Sequence, residues 1–393
     1  MNDRRRPVLC LAVLALAAAG IACFGAPAAA SATQAANLSL FYPASTNQDP
    51  RAETHVQLAI LYGRLAAVRG LEITGGVSWL HDEMEGFQIV GAYSQLDGRL
   101  TGLSLVGGVA NVRGPVTGFQ ITGLANWDRG PVAGFQYAGL MNFTAAGFRG
   151  VQAASFVNLN DGPGGGLQLA SVANVAGRDL RGFQLAGGIN VANAGVRGGQ
   201  IGLFNLGRAV DGVQLGLINL AQDAAGIEIG VVNVARRLEG VPIGFVNVGT
   251  KMPSAGADFV VLASTVTAIA GGVRTDVRDW RSELTVGWGD LRGDIESTVF
   301  LGWHYGRRIR LGGDWELTPD AGYLHLIPTE RADAPGENDR LQFALQLRLR
   351  LEKRFAPHVS VFAGGGVGWT WAKYALNADM RTDGLGLIGV ALF

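Results

Sequence analysis

Cysteine is almost missing from this chain of 393 residues, and the two present, Cys10 and Cys23, both fall within residues 1–32. Beyond residue 32 no disulfide framework, thiolate metal site or cysteine nucleophile can be built. Charge is scarce too, at 16% of residues with a formal net of zero. That balance excludes a nucleic-acid partner, which demands a basic face to neutralise phosphates. Histidine is thinly spread: His55, His81, His304, His325 and His358 show no metal-ligand spacing. Past residue 32 there is no G-x-S-x-G elbow and no P-loop. Gly384-x-Gly386-x-x-Gly389 fits the dinucleotide pattern only formally, because no helix can follow it. These gaps leave no catalytic, cofactor or metal residue to expect, and the chain reads as non-enzymatic.

What is plentiful is glycine, 59 residues, inside a composition that is 48% apolar. That is too apolar for disorder and too rich in glycine for helices, while the lack of an every-third-residue spacing excludes collagen. The chain opens with Arg4-Arg5-Arg6, an apolar run from Val8 to Ala22, and Ala30-Ser31-Ala32. This is the pattern of an export signal cleaved after Ala32. Lipidation at Cys23 is the competing processing route. Either way the protein is expected to leave the cytoplasm, most simply in a Gram-negative cell.

The dominant feature is a repeat. Gly70, Gly86, Gly102, Gly118, Gly134, Gly150, Gly166, Gly182 and Gly198 are sixteen residues apart; Gly212, Gly226 and Gly240 follow at fourteen. Two places after the glycine stands Gln at 88, 120, 136, 152, 168, 184, 200 and 214, with Glu72, Ser104, Glu228 and Pro242 as departures. A second column holds Asn126, Asn142, Asn158, Asn174 and Asn190, then Asn205, Asn219, Asn233 and Asn247. Alternating apolar residues and turn-forming returns such as "WDRGPVA" make each unit β rather than helical. Twelve such units predict a repeat architecture.

Two stackings compete. In a β-solenoid each unit is a coil, and Gln120, Gln136, Gln152, Gln168 and Gln184, like the asparagines, become hydrogen-bonded ladders. In the alternative, all units are strands of one large membrane barrel. Uniform turns and the drop in period favour coils, because losing one residue from a straight strand would flip every later side chain. With an extra corner residue such as Gly123, Phe119, Ile121, Leu124 and Asn126 align with Val213, Leu215, Leu217 and Asn219 as one inward row. The Gln column then reads as a solvated outer face or, less simply, a ligand-binding ladder. Trp127, Phe143 and Leu159 read as core or stacking residues before a sugar platform, and "HDEMEG" (His81 to Gly86) as a solvated turn before a weak cation site.

From Ser254 the pattern changes to longer strands. Leu341, Phe343, Leu345, Leu347, Leu349 and Leu351 alternate with Gln342, Gln346, Arg348, Arg350 and Glu352. One wholly apolar face over such a run suits a strand that crosses a bilayer. Trp280, Trp288, Trp303, Tyr305, Trp369, Trp371 and Tyr374 would supply interfacial aromatics, and Thr329 to Asp339 an exposed loop. About eight strands are expected between Ala257 and Phe393, enough for a small closed barrel.

The ending "GLGLIGVALF", with Phe393 last, resembles that of outer-membrane β-barrel proteins, whose closing strand is read by the barrel-insertion machinery. The repeats, over Gly70 to Gly249, resemble those of bacterial surface-repeat proteins with tandem G-[VF]-Q-[IL]-x-G-L-x-N units, as does "FYPASTNQD" at Phe41 to Asp49. That resemblance implies export and a surface setting, and no chemistry.

The expected layout is therefore a signal at 1–32, a lead-in strand and cap at 33–69, a twelve-unit array at 70–250, and an antiparallel outer-membrane barrel at 251–393. Expected partners are outer-membrane lipid and the barrel-insertion machinery, with a surface polymer or host ligand for an adhesin-like role. The rival functions are a pore formed by one large barrel, and a periplasmic or lipid-anchored binding protein.

Overall fold

The computed structural model describes residues 33–251, 256–265, 268–289, 298–328, 342–372 and 380–393. The expected export signal with both cysteines, the expected loop from Thr329 to Asp339, and Tyr374 lie outside the described residues. The protein is all-β, a parallel β-solenoid and a closed eight-stranded antiparallel barrel. It divides into two compact units, residues 1–202 and 203–393. The division falls where the glycine period drops from sixteen to fourteen.

Between Tyr93 and Ala186 each coil of the first unit has a longer and a shorter strand, for example Val116–Thr122 and Ala125–Asp128, with a bend at Gly123-Leu124 between them. From Val77 on, successive coils of this unit pair in parallel with no slip, so Gly118 lies on Gly134, Gln120 on Gln136 and Asn126 on Asn142. Zero slip is why the repeat keeps one length: any insertion would shift a ladder by a residue. Gly134 shows why the leading glycine recurs. Its φ is 137°, and a Cβ there would stand 2.0 Å from the carbonyl oxygen of Gly118. Only a residue without a side chain lets the coils approach this closely.

Parallel coils exclude the one-large-barrel alternative, whose strands would alternate in direction. The stacking also reaches into the segment expected as lead-in and cap. Gln34–Phe41 runs parallel to the strand Glu53–Thr74, pairing Gln34 with Thr54 and Phe41 with Tyr62.

The second unit opens with fourteen-residue coils, pairing Val213–Leu215 with Ile227–Ile229 and Ile218–Ala224 with Val232–Leu238. Its barrel strands are Gly256–Ser264, Ile269–Val277, Trp280–Gly289, Thr298–Arg307, Trp315–Pro328, Gln342–Ala356, Val359–Ala372 and Arg381–Leu392. Each pairs antiparallel with the next, and the ring closes between the last and the first, Val260 opposite Ala391. Two-residue turns at Arg278-Asp279 and Pro357-His358 mark one end of the barrel, where Gly256 and Leu392 also lie. At the other end lie Ser264, Ile269, Gly289, Thr298, Pro328, Gln342, Ala372 and Arg381.

Candidate functional site

The first unit turns its polar columns inward. Gln120, Thr122, Asn126 and Asp128 are buried, whereas Phe119 is 57% and Leu124 48% exposed. This corrects the expected inward row: of Phe119, Ile121, Leu124 and Asn126, only Asn126 points in. It equally corrects the solvated outer face expected for the Gln column. Alternation along a strand separates two faces without saying which is inside, and here amides occupy the inside because each finds its own kind one coil away.

The ladders are complete in geometry. Gln136 Nε2 donates to Gln120 Oε1 at 2.8 Å, and Gln152, Gln168, Gln184 and Gln200 each donate to the preceding glutamine at 2.8–2.9 Å. Asn142 donates to Asn158 at 2.8 Å and Asn158 to Asn174 at 2.9 Å. Both of these asparagines also reach a main-chain carbonyl, Asn142 to Ala153 O at 2.8 Å and Asn158 to Leu169 O at 2.7 Å. In the second unit Asn205, Asn219, Asn233 and Asn247 repeat the arrangement at 2.7–2.9 Å. A carboxamide can donate and accept at once, so a one-residue-per-coil column leaves nothing unpaired along its length. The remaining interior is apolar, from Met84, Leu100, Val116, Val132, Phe148 and Leu180.

Three carboxylates enter the coil interiors, Glu72 and Glu228 at places already counted in the Gln column and Asp128 unannounced by any motif. Asp128 accepts from Gln120 Nε2 at 3.2 Å and from Gln136 Nε2, and burial pushes its carboxyl up to about 7. Glu72 takes a place in the Gln column, accepting from Gln88 at 2.8 Å and from Thr74 and Ser78; burial again raises it. Glu228 holds the same place in the second unit with neither oxygen hydrogen-bonded, and burial raises it to about 7. The expected turn at His81 to Gly86 is instead part of the strand Val77–Val90. Its Glu83 lies 3.4 Å from Arg69, while His81 lies 3.3 Å from Asp97.

Outside, the coils are apolar on two walls and the corner between them. Leu124, Leu140, Phe156 and Val172 form the corner column of the first unit. Phe119 and Phe135 lie 6.2 Å apart on one wall, and Trp127 stacks on Phe143 at 4.3 Å on the other. Exposed charges of these coils, such as Arg113, Arg129, Arg149 and Arg181, gather on the return segments.

The barrel has the same polarity. Leu345, Leu347, Leu349 and Leu351 face outward and are exposed, with Phe259, Val286, Trp288 and Ile388 on other strands. Inside, Arg348 bridges Glu283 at 3.1 Å and Asp320 at 2.7 Å, and Arg350 contacts the same two acids. Nearer the short turns Arg274 links Asp258 and Glu352 at 2.8 and 2.9 Å, and Arg281 links Asp276 and Glu352 at 2.8 and 2.7 Å. Every one of these side chains is buried. Gly364 and Gly366 on the facing strand make the room: a Cβ on Gly366 would meet Leu347 O at 2.0 Å. Below the ion pairs lies an apolar layer of Val260, Leu262, Phe300, Leu324, Phe362 and Leu387. The space left among His304, Gln346 and Arg348 amounts to about 20 Å³, roughly one water.

Of the expected interfacial aromatics, Trp280 and Tyr305 stack at 5.4 Å near the short turns, and Trp371 stacks on Phe343 at 5.3 Å near the other end. Trp303 departs from that role: its ring meets Phe245 of the last coil at 5.3 Å, and its Nε1 donates to Gly244 O at 3.2 Å. Phe393 is not on the outer wall. Its ring lies 4.7 Å from the Arg354 guanidinium and 5.7 Å from that of Arg274, and its N–H donates to His358 O.

No protein-family model, no curated protein and no solved structure matches the chain.

Proposed function

We propose that this is a non-enzymatic outer-membrane protein whose barrel is a sealed anchor for the coils, with the coils of the second unit on the periplasmic side. The observation that carries this is the barrel's polarity, apolar outside and ion-paired inside. In water the order would be reversed, because hydrophobic burial drives folding and charges shun the interior. In a bilayer an apolar outer band is required, and strands of nine residues or more are long enough to cross. A soluble barrel in a periplasmic binding protein has no use for Leu345, Leu347, Leu349 and Leu351 on its outside.

The lumen argues for an anchor over a pore. Among the described residues, five arginines are held by acids from facing strands, and the space beside His304 holds about one water. The periplasmic placement follows from the turns. Outer-membrane barrels keep short turns on the periplasmic side, and the coils of the second unit meet the barrel at the end with Arg278-Asp279 and Pro357-His358. An adhesin-like role requires the opposite side and has no observation of its own.

The test is membrane fractionation of the full chain with planar-bilayer recording. The protein is expected to resist carbonate extraction, to migrate differently with and without heating, and to give no conductance steps. Release by carbonate without detergent would overturn the anchor, and steady conductance would overturn the seal.

A further inference from the structure

We infer that the apolar corner and walls of the coils in the second unit are a lipid-contact surface, seated in the leaflet on the short-turn side. This inference rests on the membrane reading of the barrel. Its observation is separate, namely the continuity of two apolar surfaces within one compact unit.

The corner column of these coils is Leu203, Leu217, Val231 and Phe245, one residue per coil. Leu203, Leu217 and Val231 are more than two-fifths exposed. Phe245 ends the column against Trp303, which stands on the outward face of the barrel strand Thr298–Arg307. The joint is made on the outer wall of the barrel. Ser282 Oγ donates to Gly244 O, Asn247 N–H donates to Thr275 Oγ1 at 3.2 Å, and Val277 packs with Ala224, Ala235 and Leu238 of the coils. The last coil thus lies at the level of the barrel wall, and its corner column prolongs the surface that faces lipid.

Charge separates from that surface. Arg208, Asp211, Asp223, Arg236, Arg237 and Glu239 all sit on the return segments, where Arg237 pairs with Asp223 at 3.0 Å. An apolar wedge backed by a charged edge is the cross-section of an element lying in a membrane interface, made here from coils instead of a helix. Lipid contact also demands that main-chain groups be satisfied internally. Bonds from coil to coil continue through the corner: Leu217 N–H donates to Leu203 O at 3.0 Å, Val232 N–H to Leu217 O at 3.0 Å, and Val246 N–H to Val231 O at 3.0 Å. A patch of this kind left in water would invite aggregation.

The experiment uses the full chain in vesicles of phosphatidylethanolamine and phosphatidylglycerol. Spin labels are placed singly through Leu217→Cys, Val231→Cys, Arg237→Cys and Leu347→Cys, with Cys10→Ser and Cys23→Ser in the background. Oxygen samples hydrocarbon and a water-soluble nickel chelate samples solvent. The oxygen-to-nickel ratio at 217 and 231 is expected to match that at 347 on the barrel wall and to exceed that at 237 severalfold. A ratio at 217 and 231 equal to that at 237 would overturn the inference while leaving the anchor intact. Shielding from both reagents would also overturn it, since a protein surface would then cover the corner. Nickel access at 347 as well would locate the failure in the membrane reading itself.

Discussion

Asp128 offers a quantitative test of how the coil interior is held. Its carboxyl is fully buried, and burial raises it from an ordinary value of 3.8 to about 7, against the pull of the Gln120 and Gln136 amides. An acid whose folded value is raised keeps its proton in the folded state across a window where the unfolded chain has released it. Stability therefore falls as pH rises from about 4 to about 7 and stays low above that. With 1.36 kcal/mol per unit, the deficit is about 4 kcal/mol at pH 8.5.

Replacing Asp128 with asparagine should abolish this dependence. The substitution has a built-in precedent two coils on, where Asn160 holds the equivalent place and donates to Gly162 O at 2.6 Å. Asp128→Asn keeps an acceptor for the two glutamine donors, and the new amide has Gly130 O as its counterpart of Gly162 O. Hydrogen exchange on the detergent-solubilised full chain reads the effect locally. In peptides spanning residues 116–144, protection should be equal in wild type and variant at pH 4. At pH 8.5 the variant should be better protected, by up to about a thousandfold if opening exposes the carboxylate fully. Equal protection at pH 8.5 would refute the reasoning, as would a variant that is weaker at both pH values.

Other substitutions probe other parts of the same logic. Glu228→Gln should restore the Gln column and stabilise the second unit at pH 8.5 by about 3 kcal/mol with little change at pH 4, since its value falls from about 7 to 4.5 on unfolding; exchange in peptides around 213–243 measures it. Asn158→Ala removes two donated bonds and the acceptor for Asn142, and should cost about 2–4 kcal/mol in denaturant unfolding followed by circular dichroism. Gly134→Ala should break the array locally, seen as faster trypsin cleavage at Arg129 and Arg149, whereas Thr117→Ala on the exposed side of its coil should not. Glu283→Ala leaves Arg348 and Arg350 short of one shared acid, a loss of about 3–5 kcal/mol; the temperature at which the folded band converts on gels should drop, and drop less for Glu283→Gln.

The coil period was legible because in-register parallel pairing makes chemically identical places fall at identical intervals: Gly118, Gly134 and Gly150 can be found by counting. The facing of the coil was not. Phe119 and Gln120 alternate equally well either way round, and the usual preference for buried phenylalanine gives the wrong answer when glutamine stacks on glutamine. Asp128 was invisible for a related reason, since one acid in a return segment looks like any solvated charge. The barrel strands were legible from Leu345, Leu347, Leu349 and Leu351, but the ion pairs inside were not. Arg274 and Glu352 are 78 residues apart in sequence, and only closure of the ring brings them together.

If the proposed membrane setting holds, the coils and the barrel solve one problem by different closures. A surface that meets hydrocarbon must present apolar side chains while leaving no main-chain donor or acceptor unpaired. The barrel does this by joining Gly256–Ser264 to Arg381–Leu392, which removes its edges. The coils do it by stacking, and the test of that solution lies at the bends, where sheets usually lose their bonds. At the apolar corner the bonds persist: Leu140 N–H donates to Leu124 O at 2.9 Å and Phe156 N–H to Leu140 O at 3.2 Å. Polar side chains are then free to turn inward, where Gln and Asn satisfy one another and the main chain. A water-exposed solenoid has no need of this arrangement, because solvent would pair its corner groups and its large apolar residues would be better placed inside. On the membrane reading proposed above, an apolar exterior, a self-satisfied polar interior and bonded corners answer one requirement, contact with lipid.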